Sequence, residues 1–135
     1  MAGQGMMARP LAVMMSRSLR TVSSQASLLE AAQLMRNACV GALLVEEQGT
    51  YVGVISETDL VRKAMANGED PNRQRVCAVM SAPLITIEVD QSPHEASELM
   101  ALHGVRHLVV TQESDIVGMI SVRDLLRYFK NWGVL

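Results

Sequence analysis

Apolar runs and polar breaks follow one another along this chain in an order that occurs twice. The first series opens with a short expected strand at residues 19–22, with Leu19 and Val22 at its ends. It continues through Ser27-Leu28-Leu29-Glu30 into a segment with Ala31, Leu34, Met35 and Ala38 at helical spacing. Two further runs, 42–46 and 51–55, are apolar nearly throughout and are divided by a polar turn at 47–50. Such runs predict strands covered on both faces. A last helix opens at Ser56. The second series repeats each step. A run at 84–87 leads to Ser92-Pro93-His94-Glu95, and Ala96, Leu99, Met100 and Leu102 then fall at helical spacing. Runs 107–111 and 116–120 flank a polar turn at 112–115, and a helix opens at Ser121. Ser-x-x-Glu at both helix starts predicts reciprocal capping boxes, with Pro93 at the first helical position, where its missing N–H costs nothing.

A shift of 65 residues lays 15–65 over 80–130 without a gap, and 19 of the 51 paired positions are identical. Two copies are too few for a solenoid, which needs about three or more. They predict two pseudo-symmetric halves, each covering the apolar face that the other exposes. The fold class is then α+β, two β-α-β-β-α repeats packed as one module. The expected divisions are a flexible N-terminal leader at 1–12, a first repeat at 13–65 and a linker at 66–78. A second repeat at 79–130 and a C-terminal tail at 131–135 complete the chain. The linker holds Gly68, Asp70-Pro71 and Asn72, all breakers. The tail contains Trp132.

Composition narrows the classes. With 135 residues and 49% hydrophobic content, a core is affordable without disulfide or metal. Aromatic content of 3% leaves that core to aliphatic and methionine side chains. A net charge of −2 without long runs of one sign argues against a nucleic-acid partner. Cys39 and Cys77 occupy unmatched positions of the repeats and lack metal-ligand spacing. Two reduced thiols point to a cytoplasmic protein. The apolar piece 10–15 is too short for a membrane span, so no membrane association is expected. No His/Cys/Asp/Glu cluster has metal spacing, and no nucleophile stands beside a base, so neither a metal site nor an enzyme is expected. His94 and His103 are expected to be exposed helix residues.

The strongest repeated string is Gly53-Val54-Ile55-Ser56-Glu57-Thr58-Asp59, returning as Gly118-Met119-Ile120-Ser121-Val122-Arg123-Asp124. It sets a serine and an aspartate at a strand-to-helix junction, where free backbone N–H groups favour polar or anionic partners. Ser-x-x-Asp is itself a capping box. Capping gives no reason for the glycine three residues ahead of each serine.

Gly-x-x-Ser-x-x-Asp after a hydrophobic strand, twice, each preceded by a threonine-containing strand and a capped helix, resembles the cystathionine-β-synthase (CBS) domain family. The resemblance extends over residues 13–129 and identifies a stand-alone tandem pair, a Bateman module. It implies regulatory binding of adenosine-containing ligands (AMP, ADP, ATP, NAD or S-adenosylmethionine) in two clefts between the repeats, with AMP first among them and no required cofactor. Asp59 and Asp124 match the carboxylates that take the ribose hydroxyls, as a carboxylate accepts both donors of a cis-diol. Ser56 and Ser121 match the hydroxyl that contacts ribose or phosphate. Thr21-Val22 and Thr86-Ile87 match the segment that holds adenine. Arg106 and His107 stand where basic residues meet phosphate, with Arg123 a further candidate. The counterparts of Arg106 and His107 are the uncharged Gly41 and Ala42. That asymmetry favours the Asp59 cleft for phosphate, because the family often supplies the basic residues from the opposite repeat. The resemblance further implies a homodimer that reports on energy or redox state through an effector protein. The alternative is a dimerising interaction module whose clefts have lost their ligand.

Overall fold

The structure, a computed structural model, describes residues 10–131. Most of the expected leader, 1–9, and Trp132 of the tail lie outside the described residues. In chain order the elements are α1 (Pro10–Met14), β1 (Thr21–Ser23), α2 (Leu28–Ala38), β2 (Ala42–Glu47), β3 (Thr50–Ser56) and α3 (Glu57–Asp59). They continue with α4 (Val76–Val79), β4 (Thr86–Glu88), α5 (Pro93–His103), β5 (His107–Gln112), β6 (Asp115–Ser121) and α6 (Val122–Asn131). After α3 the chain winds on through a π turn, Leu60–Ala64, and a 3-10 turn, Met65–Asn67. The expected α+β class with β-α-β-β-α in each half is the observed one.

The chain divides into two compact units. One is Leu19–Leu84; the other, among the described residues, joins 10–18 to 85–131. In the first, β1 pairs parallel with β2 and β2 antiparallel with β3, and the second repeats this with β4, β5 and β6. Parallel β1–β2 and β4–β5 pairs require a crossover, which α2 and α5 supply. The β2–β3 and β5–β6 hairpins turn through residues with positive φ: Gln48 (50°) and Gly49 (80°), Glu113 (51°) and Ser114 (74°). Two left-handed residues in succession match the twist of the flanking strands.

Each unit has its own core. Val22, Leu28, Ala31, Met35, Leu43, Val45, Ile55, Val76 and Val79 fill that of Leu19–Leu84. Leu11, Met15, Ile87, Ala96, Met100, Leu108, Val110, Ile120, Leu125 and Phe129 fill the other. Leu11 therefore corrects the expected flexible leader at its last three positions. Pro10–Met14 is a helical turn against α6 and β6, with Leu11 fully buried. The apolar piece too short to cross a membrane is long enough for one helical turn that buries Leu11. Its counterpart α4, with Val76 fully buried, likewise places the end of the expected linker inside a core.

Beyond each of these turns the chain runs along a sheet edge. Ser16 N–H donates to Met119 O at 2.8 Å and Met119 N–H to Ser16 O at 3.0 Å. Ser81 and Val54 exchange the equivalent pair at 2.8 and 3.0 Å. So close an approach explains the repeated glycine. A Cβ on Gly53 would stand 2.7 Å from Ser81 O, and one on Gly118 would stand 2.7 Å from Ser16 O and 2.6 Å from Met15 Sδ.

Two local expectations need correction. The capping box at Ser27 and Glu30 is complete, but at the start of α5 only Ser92 accepts, from Glu95 N–H at 3.1 Å. The Glu95 carboxylate lies against the Gln91 amide instead of reaching back to the cap. Leu34 and Leu102, whose spacing places them on the apolar helix faces, are 42% and 76% exposed.

Candidate functional site

The sheets set the candidate residues at corresponding ends of the two units. β1 and β2 start, and β3 finishes, at one end of the first sheet: Arg20 O accepts from Leu44 N–H, and Ala42 pairs with Ser56. Thr21 and Ser56 thus share that end, separated by β2, two inter-strand steps or roughly 10 Å. Thr86 and Ser121 are related in the same way across β5, where His107 pairs directly with Ser121 and Arg106 O accepts from Val122 N–H at 3.0 Å.

Val22 and Ile87 are 5% and 4% exposed and point into their own cores, while Thr21 and Thr86 are exposed. Neither aliphatic side chain is therefore available to lie on a purine. What β1 and β4 offer is backbone, since each is an edge strand of its three-stranded sheet and presents N–H and C=O groups outward at alternate residues.

Ser56 and Asp59 form a reciprocal capping box, as do Ser121 and Asp124. Asp59 Oδ2 accepts from Ser56 N–H at 3.0 Å and from Ser56 Oγ at 3.1 Å, and Asp59 N–H donates to Ser56 Oγ at 3.2 Å. Asp124 Oδ2 repeats these contacts with Ser121 at 2.8 and 3.0 Å, and Asp124 N–H returns at 3.2 Å. One carboxylate oxygen in each unit is thus committed to holding the helix start, which leaves the other for further contacts.

At that second oxygen the units differ. Asp59 Oδ1 accepts from Ser81 Oγ at 2.9 Å and pairs with Lys63 Nζ at 3.0 Å, and Lys63 Nζ also donates to Ser81 Oγ at 3.1 Å. Asp59 is 5% exposed. Asp124 is half-buried, and its Oδ1 accepts no hydrogen bond or ion pair among the described residues. Tyr128 occupies the place of Lys63 and brings no ammonium; its ring meets Phe129 edge-on at 5.6 Å. Of the basic candidates, Arg106 and Arg123 are exposed and His107 is half-buried, all in the unit of Asp124. The neighbours of Ser56 at the matching positions are Gly41 and Ala42.

Sequence reasoning missed Lys63 and Ser81. The spacing of Asp59 and Lys63 is that of a helical i, i+4 ion pair, a readable signal. Ser81 and its counterpart Ser16 are identical in the repeats, yet the role of Ser81 depends on a chain segment folding back on β3. Among the described residues no group of three or more His, Cys, Asp or Glu side chains could hold a metal ion, and no helix is long and apolar enough to cross a membrane.

Known proteins share this arrangement. The CBS domain profile matches residues 11–66 and 76–131, so that it takes in most of α1 and all of α4 as well as both sheets. The CBS domain-containing protein YhcV of Bacillus subtilis is 35% identical over 111 residues, covering 82% of this chain and 79% of its own. A putative signal-transduction protein with CBS domains from Burkholderia ambifaria superposes with a TM-score of 0.83 at 30% identity, covering 90% of each chain. A hexameric CBS-CP12 protein from bloom-forming cyanobacteria superposes with a TM-score of 0.80 at 28% identity, covering 88% of this chain and 72% of that one. With both repeats matched, and with the Ser–Asp junction built the same way in each, this chain belongs to the CBS domain family and carries its domains as a tandem pair.

Proposed function

We propose that this CBS pair is a regulatory adenine-nucleotide-binding module, of the AMP, ADP, ATP or NAD type, that reports on energy or redox state through a partner protein. The observation that carries the reading is the carboxylate oxygen of Asp124 that accepts nothing among the described residues, beside the Ser121 hydroxyl, with the edge backbone of β4 at the same end of the sheet. A cis-diol supplies the two donors that such a carboxylate accepts. The outward N–H and C=O groups of an edge strand suit the donor–acceptor edge of adenine. Exposed Arg106 and Arg123 offer positive charge for phosphate on the same unit, and His107 pairs with Ser121 beside them. Binding and bias of this kind need no catalytic residue, and the module is not an enzyme in this reading. It signals only if the ligand binds two arrangements of the partnered module with different affinity.

A homodimer is part of the proposal. Val61 and Leu126, which occupy equivalent positions of the repeats, are apolar and 53% and 52% exposed. Together with Leu102, they also favour the second reading, a ligand-free dimerising interaction module. A thermal-shift panel with AMP, ADP, ATP, NAD, S-adenosylmethionine and adenosine separates the two. A ligand at about 100 times its dissociation constant adds about 2.7 kcal/mol to the folded state, a rise of roughly 5 °C or more in a chain of this size. A selective rise that disappears in Asp124→Ala is the expected result. A flat panel, from protein free of carried-over nucleotide, favours the interaction module.

A further inference from the structure

We infer that Lys63 and Ser81 close the carboxylate of Asp59 to ribose, so that the chain binds one nucleotide rather than two and Asp59 serves as a latch for the segment Met80-Ser81. The inference rests on the nucleotide reading above and decides which repeat carries it out.

Both oxygens of Asp59 are in use. Oδ2 closes the helix cap, and Oδ1 takes Lys63 Nζ at 3.0 Å and Ser81 Oγ at 2.9 Å. The contact of Lys63 Nζ with Ser81 Oγ at 3.1 Å closes a triangle of three groups. A ribose diol reaching this carboxylate must displace an ammonium and a hydroxyl, giving up a charge-assisted pair for two neutral donors. It must also loosen Ser81, whose backbone is paired with Val54 on β3. In the other unit, among the described residues, neither the ammonium nor the second hydroxyl reaches the carboxylate: Tyr128 stands at the place of Lys63, and Ser16, the counterpart of Ser81, is exposed although its backbone is paired with Met119 in the same way. Asp124 Oδ1 accepts nothing there among the described residues. The basic residues that distinguish the repeats, Arg106, His107 and Arg123, belong to that same unit. The asymmetry of charge read from the sequence, which favoured the Asp59 end, is therefore opposed by the state of the carboxylates. A difference of one charge-assisted bond is worth about tenfold or more in affinity, enough to leave the Asp59 end empty at concentrations that fill the other.

Calorimetric titration of the whole chain with AMP, ATP and NAD tests this, alongside Asp124→Asn and the double variant Lys63→Met with Ser81→Ala. The expected result is one nucleotide per chain in the unaltered protein and none in Asp124→Asn. A second nucleotide per chain should bind to the double variant, whose melting temperature falls because the latch is gone. Should the double variant not fold, Lys63→Gln alone, which removes the charge and keeps a donor, should still bring a weak second site. Two equal sites in the unaltered chain overturn the inference while leaving the nucleotide reading intact. So does binding that survives Asp124→Asn and is lost in Asp59→Asn. A flat titration of the folded, unaltered chain with all three nucleotides overturns both.

Discussion

Cys39 closes α2 with φ at 55° and ψ at 42°, a left-handed conformation in which its N–H donates to Arg36 O and Met35 O. The same position of the second repeat is Gly104, with φ at 64°. The fold thus asks for one backbone shape twice, and only one repeat supplies the residue that adopts it without a Cβ clash. Left-handed geometry costs an L-residue with a Cβ about 1–2 kcal/mol, part of which glycine gives back through the greater freedom of its unfolded chain. Cys39 is exposed, and among the described residues the hydrogen-bond contact of its Sγ is a 3.8 Å one with Arg36 O, so little packing is lost on replacement. Cys39→Gly should raise stability by about 0.5–1 kcal/mol, measured as a higher urea midpoint at unchanged slope. Gly104→Ala should lower it by a comparable amount. A fall in the midpoint of Cys39→Gly would mean that this thiol packs more than its exposure indicates.

Among the elements, the segments that precede the repeats depend on absent side chains. Gly53 and Gly118 allow Ser81 and Ser16 to pair with β3 and β6, and a Cβ at either would stand 2.7 Å from a backbone oxygen that cannot swing aside. Gly53→Ala should therefore cost about 1–3 kcal/mol, the usual range for forced overpacking, and should make the chain around residue 81 more open to limited proteolysis. Gly118→Ala should do the same around residue 16. Unchanged cleavage in both would show that the segments shift without loss. These two glycines also mark the limit of what the sequence discloses. Helix and strand order was legible, because each element writes its period locally: Ala31 and Met35 are buried as spaced, and β2 and β3 fall within a residue of their expected bounds. The Ser56–Asp59 and Ser121–Asp124 junctions were legible because duplication lifts a short motif above chance. The docking of Met15-Ser16 and Met80-Ser81 was not, since it joins residues distant in sequence through backbone pairing, which leaves no mark beyond a glycine. For the same reason Asp59 read as an open ribose acceptor, although Ser81, 22 residues away, holds its second oxygen. That Val22 and Ile87 turn into their cores was not legible either, because a three-residue strand is too short for alternation to tell inside from outside.

Across the whole molecule, chain order and packing order do not coincide. The N-terminal turn belongs with the second repeat's sheet, and the turn between the repeats belongs with the first: Leu11 shares a core with Val110, Ile120 and Leu125, and Val76 shares one with Val45 and Ile55. A cut between the repeats would leave the second sheet without Leu11 and Met15, so the second repeat is not a self-sufficient piece of sequence. Removing a fully buried leucine side chain costs about 2–5 kcal/mol, and lost packing shows first as local opening of the cooperative region that contains it. Leu11→Ala should therefore speed amide exchange in β5, β6 and α6, some 100 residues away in sequence, by far more than in the nearer β2 and β3. Val76→Ala should reverse the pattern. Hydrogen exchange read by mass spectrometry on the two variants compares all of these strands in one experiment. Faster exchange concentrated in β1 and α2 for Leu11→Ala would mean that the turn follows its neighbours in sequence. The expected crossed pattern would mean that each half is completed by the segment leading into the other. Replacements in residues 10–18 should then be read as perturbations of the unit that holds Asp124, the carboxylate proposed for the nucleotide.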